Sequence, residues 1–185
     1  MIPLIDFFKS INEPKYRAQQ LLKWIHQKGV TDFDLMTDFN KPLREKLKSL
    51  ATLELPKVSK VFKSPEGTEK YLVELASGSM IEMVVIPEKK RTTLCISSQV
   101  GCALQCTFCA TGAQGFEKNL TADEIIGQLW LANFYPKNSN NISNVVFMGM
   151  GEPLLNFDPV IESAKLMKDQ FCLLYTSPSP RDMWT

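Results

Sequence analysis

Thr92-Thr-Leu-Cys-Ile-Ser-Ser-Gln-Val-Gly-Cys-Ala-Leu-Gln-Cys-Thr-Phe-Cys109 is the stretch that decides the fold. Thr92 to Ser98 is β-rich and reads as a strand. The loop that follows carries Cys102, Cys106 and Cys109 as a C-x3-C-x2-C array. Three thiolates on one loop match three corners of an iron–sulfur cube, and three ligands for four irons leave one iron open to a substrate. A structural zinc wants four closed ligands. Cys95 would complete such a set, C-x6-C-x3-C-x2-C, although it sits in the predicted strand; at this point both metals stay open. Gly101, Gln105 and Thr107 mark a loop, so unliganded core thiols fit less well.

Downstream, Thr121-Ala-Asp-Glu124 has the pattern of a capping box. It opens a helix through about Asn133 with Ile125, Ile126, Leu129 and Trp130 on one face. After the polar stretch 136–141, Ser143 to Met148 reads as a second strand. It runs straight into Gly149-Met-Gly-Glu-Pro153, and Asp158-Pro159 caps another helix to about Asp169. Strand, helix, strand, helix implies parallel strands with right-handed crossovers. Glycines at the C-terminal end of a parallel strand allow a ligand to approach the backbone, and Glu152 there is placed to take up an ammonium group. Alone, the motif is a tight turn; one strand from a three-cysteine loop it carries more weight. A full eight-unit barrel needs about 250 residues. Two units fit here, so the expectation is an α/β fold, a partial (β/α) barrel truncated after about two units. The end of the chain, 173–185, with two Ser-Pro steps and no apolar periodicity, reads as disordered or foreign to the fold. The 185 residues read as the front of a longer enzyme.

Upstream, residues 1–52 read as a small helical module and 53–91 as a β-hairpin connector; 92–172 are the start of the barrel. In the module, Ala18, Leu21, Leu22 and Ile25 recur at helical spacing in a helix that stops at Gly29. His26, the sole histidine, sits at that helix's C-terminal end, where it interacts with the helix dipole. Asn40-Lys-Pro42 starts a second helix. In the connector, Lys70–Ala76 and Met80–Ile86 alternate about Ser77-Gly78-Ser79. Residues 1–60 carry 11 Lys and Arg against 7 Asp and Glu, while the rest carry 10 against 13. The basic front is a weak sign of a polyanionic partner. No apolar run has membrane-spanning length and no signal peptide is visible. Clustered thiols in such a chain point to a metal or redox site in a cytoplasmic protein.

Taken together, these motifs resemble the radical S-adenosylmethionine superfamily. The run Thr93–Gly112, with Gln114-Gly-Phe116, Asn119-Leu-Thr121 and Val146–Asn156, resembles the RlmN family more closely. Members of that family are bacterial adenine-C2 methyltransferases of 23S rRNA and tRNA. Tyr16–His26 resembles the family's N-terminal helical module, and the likeness covers about residues 10–172. It implies a radical-SAM barrel with a 4Fe-4S cluster and S-adenosyl-L-methionine as cofactors. It also implies 23S rRNA and tRNA as partners, a reductant protein such as flavodoxin, no membrane, a monomer and a cytoplasmic location. By position, Cys102, Cys106 and Cys109 match the cluster ligands, and Gly151 and Glu152 the S-adenosylmethionine contacts. Glu82, which the residues alone leave as an exposed hairpin position, matches the proton acceptor. Cys95 matches the cysteine that resolves the RNA–enzyme adduct through a transient disulfide. The family's methyl-carrying cysteine lies near its C-terminus, and Cys172 lacks its flanking residues. A C8-adenine methyltransferase relative shares the cluster spacing, but Pro153 and Ala103-Leu104 favour the C2 enzyme. The alternative of another class is a non-catalytic, four-cysteine zinc module that binds RNA.

Overall fold

Two apolar clusters organise the described residues, 2–135 and 142–168, of a computed structural model. The polar stretch 136–141, Cys172 and the tail at 173–185 lie outside the described residues.

The first cluster gathers the helices α1 (Ile2–Ser10), α2 (Tyr16–Leu22) and α3 (Lys41–Leu50). Phe8, Ala18, Leu21, Trp24, Met36, Phe39 and Leu47 fill it. Asn40 caps α3 by accepting from the Leu43 N–H at 2.9 Å, and Pro42 occupies the first turn, where its missing N–H is harmless. Sequence reading had no signal for α1, which has neither a polar cap nor a clean apolar period. The predicted helix through Lys28 is there, but α2 passes into a π-helical turn at Lys23–Gln27. Gly29, at φ +64°, then lets the chain leave. A Cβ at this position would stand 2.5 Å from the Phe134 ring.

His26 departs from the expectation. It is buried, its Nδ1 has no hydrogen-bond partner, and burial pushes its pKa down to about 4. Desolvation of the imidazolium outweighs the pull of the helix terminus, so the ring is neutral and makes no charge–dipole interaction.

The second cluster lies under a five-stranded sheet. Its strands are β1 (Lys57–Lys63), β2 (Glu69–Glu74), β3 (Met80–Pro87), β4 (Thr92–Cys95) and, beyond four intervening elements, a final strand at Asn144–Val146. After β4 come β5 (Gln99–Gly101), α4 (Ala110–Gln114), β6 (Phe116–Asn119) and α5 (Ala122–Phe134). Asn144–Val146 is therefore β7, and α6 (Phe157–Met167) follows. The sheet order is β1-β2-β3-β4-β7; β1 to β4 pair antiparallel, and β4 pairs parallel with β7 as the strand–helix–strand pattern requires. The β2–β3 hairpin was legible, whereas β1 was not foreseen and adds a third antiparallel strand. The strand expected over Thr92–Ser98 ends at Cys95. Residues 99–101 turn away to pair with β6 in a separate two-stranded ribbon.

Helices α5 and α6 cover one face only. Tyr71, Val73, Ile81, Met83, Val85 and Leu94 point into that covered face, so period-two alternation sends the residues between them to the other side. The capping box of α5 is complete, with Thr121 and Glu124 exchanging backbone bonds. The helical module docks on α5 through the Trp130 Nε1–H, which donates to the Ile25 carbonyl at 2.8 Å.

The neutral His26 makes stability pH-dependent. Its folded pKa lies below the ordinary 6.5, so the unfolded chain binds a proton first. Stability is full above pH ~6.5 and falls as pH drops toward ~4, by at most about 1.4 kcal/mol per pH unit. Urea unfolding followed by tryptophan fluorescence from pH 7.5 to 4.5 should show this slope, and His26→Leu should flatten it. An unchanged slope in the variant would rule out His26 as its source.

Candidate active site

The site is built on the exit from β4. Ile96 continues the parallel ladder by donating to the Val146 carbonyl at 2.9 Å. From there Ser97, Ser98 and Gln99 run fully buried, and a polar network meets most of their polar groups, the Ser98 hydroxyl alone among their side chains being left without a partner. Gln128 of α5 accepts from the Ser97 N–H and donates to the Ser97 carbonyl, both at 2.9 Å. Ser97 Oγ donates to the Glu82 carbonyl and accepts from the Met150 N–H. Asn156 Nδ2 donates to the carbonyls of Ser98 and Leu120. Gln99 spans the site: its Nε2 donates to Asn119 Oδ1 at 2.8 Å, and its Oε1 accepts from the Glu152 N–H at 2.9 Å.

The Gly149-Met-Gly-Glu-Pro153 turn packs directly on this segment. Backbone bonds tie it down: Gly149 N–H to the Ile96 carbonyl, and Ser98 N–H to the Met150 carbonyl. A Cβ on Gly149 would lie 2.7 Å from the Ile96 carbonyl carbon; one on Gly151, at φ +95°, would lie 2.5 Å from Gln99 Cβ. Both glycines are thus required by contact with 96–99. Sequence reading gave them either to a tight turn or to the close approach of a ligand, and not to contact with 96–99. Glu152 Oε1 accepts from the Leu154 N–H at 3.1 Å and caps the short helical turn Pro153–Asn156.

On the other side of 96–99 is the cysteine loop. Gly101, at φ +72°, abuts the Gly115 carbonyl so closely that a Cβ would sit 1.8 Å from its oxygen. Cys102 is buried and its N–H donates to that same oxygen. Gln105 takes a left-handed conformation at φ +48°. The Cys109 N–H closes back on the Cys106 carbonyl at 3.0 Å, and Gly112 packs against the Cys106 backbone. Hydrogen bonds to the backbone of Gly112 and Thr111 hold the Cys109 thiol below the ordinary thiol range. Among the described residues no three cysteine, histidine or carboxylate groups are gathered closely enough to hold a metal ion. The donor set itself fits a thiolate-ligated cluster: three free cysteine sulfurs on one loop, with the terminal one biased toward thiolate.

Cys95 belongs to a different surface. It pairs in register with Val84 on β3 and Val146 on β7. Neighbouring Leu94 faces the covered core, so Cys95 faces the open side. Burial pushes its thiol up, only partly offset by a hydrogen bond to the Met148 backbone. Glu82 lies on that same open face, two positions from Val84, and the Lys70 ammonium holds its Oε1 at 3.0 Å. The structure therefore brings together Glu82 with Cys95 on the sheet, and Gly151–Glu152 with the start of the cysteine loop through Gln99. Sequence reasoning missed Ser97, Gln99, Asn119, Gln128 and Asn156. The available signal was Gln128, a polar residue in the buried phase of α5 between Ile125 and Leu129.

Comparison with known proteins now bears on these features. Residues 2–53 match the ribosomal RNA large subunit methyltransferase N-terminal domain. Residues 96–183 match the radical SAM superfamily, a match that extends into the tail expected to lie outside the fold. A dual-specificity RNA methyltransferase RlmN from Saccharophagus degradans is 53% identical over 171 residues, which are 90% of this chain and 43% of that one. The crystal structure of a radical SAM methyltransferase from Sphaerobacter thermophilus superposes with a TM-score of 0.82 at 33% identity, covering 91% of this chain and 50% of that one. The chain thus spans half or less of the relatives it matches.

Gln99→Ala should strip the Glu152 N–H and Asn119 of their partner at a cost of about 1–3 kcal/mol. Gly151→Ala should be at least as damaging, because it adds left-handed strain to the collision with Gln99. Equilibrium denaturation of the full chain measures both. Wild-type stability in Gly151→Ala would mean that the turn is not packed on Gln99.

Proposed function

Because the chain belongs to the RlmN family of radical S-adenosylmethionine methyltransferases, we propose that it forms the part of an RNA adenine-C2 methyltransferase that holds cluster, cofactor and target base together. The observation that carries this is the meeting of the cysteine loop and the Gly149–Pro153 turn on one buried segment, Ser97–Gln99, beside an open sheet face bearing Glu82 and Cys95. Cys102, Cys106 and Cys109 are the residues to hold a 4Fe-4S cluster. When bound, the cluster supplies the single electron for reductive cleavage of S-adenosylmethionine.

Every other role falls to this chain's own groups. Gly151 and Glu152 receive the amino-acid end of S-adenosylmethionine. One Glu152 oxygen is already anchored by the Leu154 N–H, which leaves the second oxygen to receive the ammonium group. Glu82, steadied by Lys70, accepts the proton from adenine C2. Cys95 resolves the bond between enzyme and base. Its half-buried thiol, pushed up by desolvation, must first give up a proton. The substrates are 23S rRNA and tRNA, whose target base must be unstacked to reach these groups. Residues 1–52 act as the RNA-facing helical module, 53–91 as the connector and 92–172 as the start of the barrel. The same reading implies a flavodoxin-type reductant, a monomer and a cytoplasmic location.

Two measurements test this. Anaerobic reconstitution followed by iron and sulfide analysis should give a cluster that Cys102→Ala, Cys106→Ala and Cys109→Ala each abolish. Cys95→Ala should keep it; loss of metal there would instead point to four cysteine ligands and zinc. Glu152→Ala should leave the iron content unchanged and weaken S-adenosylmethionine binding about tenfold or more, as expected for one charge-assisted bond. Equal affinity would reduce Glu152 to its capping role.

A further inference from the structure

We propose that the open face of β1 and β2, centred on Phe62, is a stacking subsite that holds a nucleotide of single-stranded RNA next to the target base; this rests on the RNA methyltransferase reading above. Phe62 is 44% exposed on the outermost strand of the sheet. Two ammonium groups stand near its ring, Lys60 Nζ at 4.7 Å and Lys70 Nζ at 5.3 Å from the centroid. Register places the group on the catalytic side. Phe62 pairs with Lys70, Lys60 with Leu72, and Leu72 with Glu82. Lys70 therefore touches both the aromatic ring and the Glu82 carboxylate. Among the described residues, no salt bridge engages Lys57 or Lys60.

Part of this pattern has a simpler cause. Lysines on an edge strand, and a bulge such as that between Val58 and Lys60, guard the edge against pairing with another chain. That cause does not account for Phe62, because an exposed aromatic on an edge works against such guarding. Nor is Phe62 left over from core packing, since its neighbour Val61 serves the core. An exposed ring with cations near it is what single-stranded nucleic acid requires: a platform for one base and charge for the adjoining phosphates. β1 and β3 are two strand spacings apart, about 10 Å. A base on Phe62 is thus a neighbour of the base presented to Glu82, not the same one.

The test is binding of a fluorescein-labelled, unstructured 15-nucleotide RNA to the full chain, by anisotropy over a range of salt. Phe62→Ala should weaken binding about tenfold, and Phe62→Trp should restore it. Lys60→Gln should reduce the slope of log affinity against log salt by about 0.7. Cross-linking of 4-thiouridine RNA to the unsubstituted chain should label the 57–63 segment, which keeps the test decisive if a variant folds poorly. Unchanged affinity in Phe62→Ala with no label on 57–63 would overturn the subsite and leave the methyltransferase reading standing. Absence of RNA binding by the unsubstituted chain would overturn both.

Discussion

Between the Ile96 bond to β7 and the pairing of Gln99 with β6, Ser97 and Ser98 carry the chain out of strand β4 without a strand partner, yet the whole segment is buried. Buried peptide groups must find partners, and the C-terminal half of the molecule is arranged around that requirement. Gln128 reaches down from α5, Asn156 comes from the turn before α6, and the Gly149–Gly151 backbone presses in from the end of β7. Each partner arrives from a different element, so satisfying this segment fixes the relative positions of β7, α5 and α6. The last residue of the segment, Gln99, also accepts from the Glu152 N–H, and the chain enters the cysteine loop two residues later. Here the geometry of the site follows from the solution to a burial problem.

How much of this could be read beforehand depended on whether a feature was local. The capping box at Thr121–Glu124, the Ser77–Ser79 hairpin and the parallel pairing of β4 with β7 all leave marks within a few neighbouring residues, and all were legible. β1 left none: its Val58 and Val61 are interrupted by a bulge that breaks the period of two. The early end of β4 was equally hidden, because Ile96-Ser-Ser has the composition of a strand and stops being one only through contacts with residues some 30 to 60 positions away. The glycines of the 149–153 turn were recognised as necessary, but the reason assigned was incomplete, since Gln99 is invisible as a neighbour until the chain is folded. His26 was misjudged because the dipole of a helix end can be seen in sequence and the depth of burial cannot.

The sheet has helices on one face only, and this asymmetry organises the chemistry. With strict alternation, one register decides simultaneously which residues build the core and which are offered to a substrate. Tyr71, Ile81, Met83 and Leu94 go inward, and Lys70, Glu82 and Cys95 therefore go outward. A slip of one residue in the β2–β3 pairing would bury Glu82 and expose Met83. Fold stability and the composition of the open face are thus held by the same hydrogen-bond ladder.

The π-helical turn at Lys23–Gln27 has a bearing on how this chain tolerates changes in length. In an α-helix each residue advances the next by about 100°, so adding or removing one residue rotates everything beyond it. A π turn takes up one extra residue per turn, and here it does so just where Ile25 offers its carbonyl to Trp130. Deleting a single residue from 23–27 would let the segment relax to regular α geometry, and in doing so would swing the Ile25 carbonyl about a quarter of a circle away from α5. The two halves of the molecule are therefore keyed to one another by a residue count within a helix.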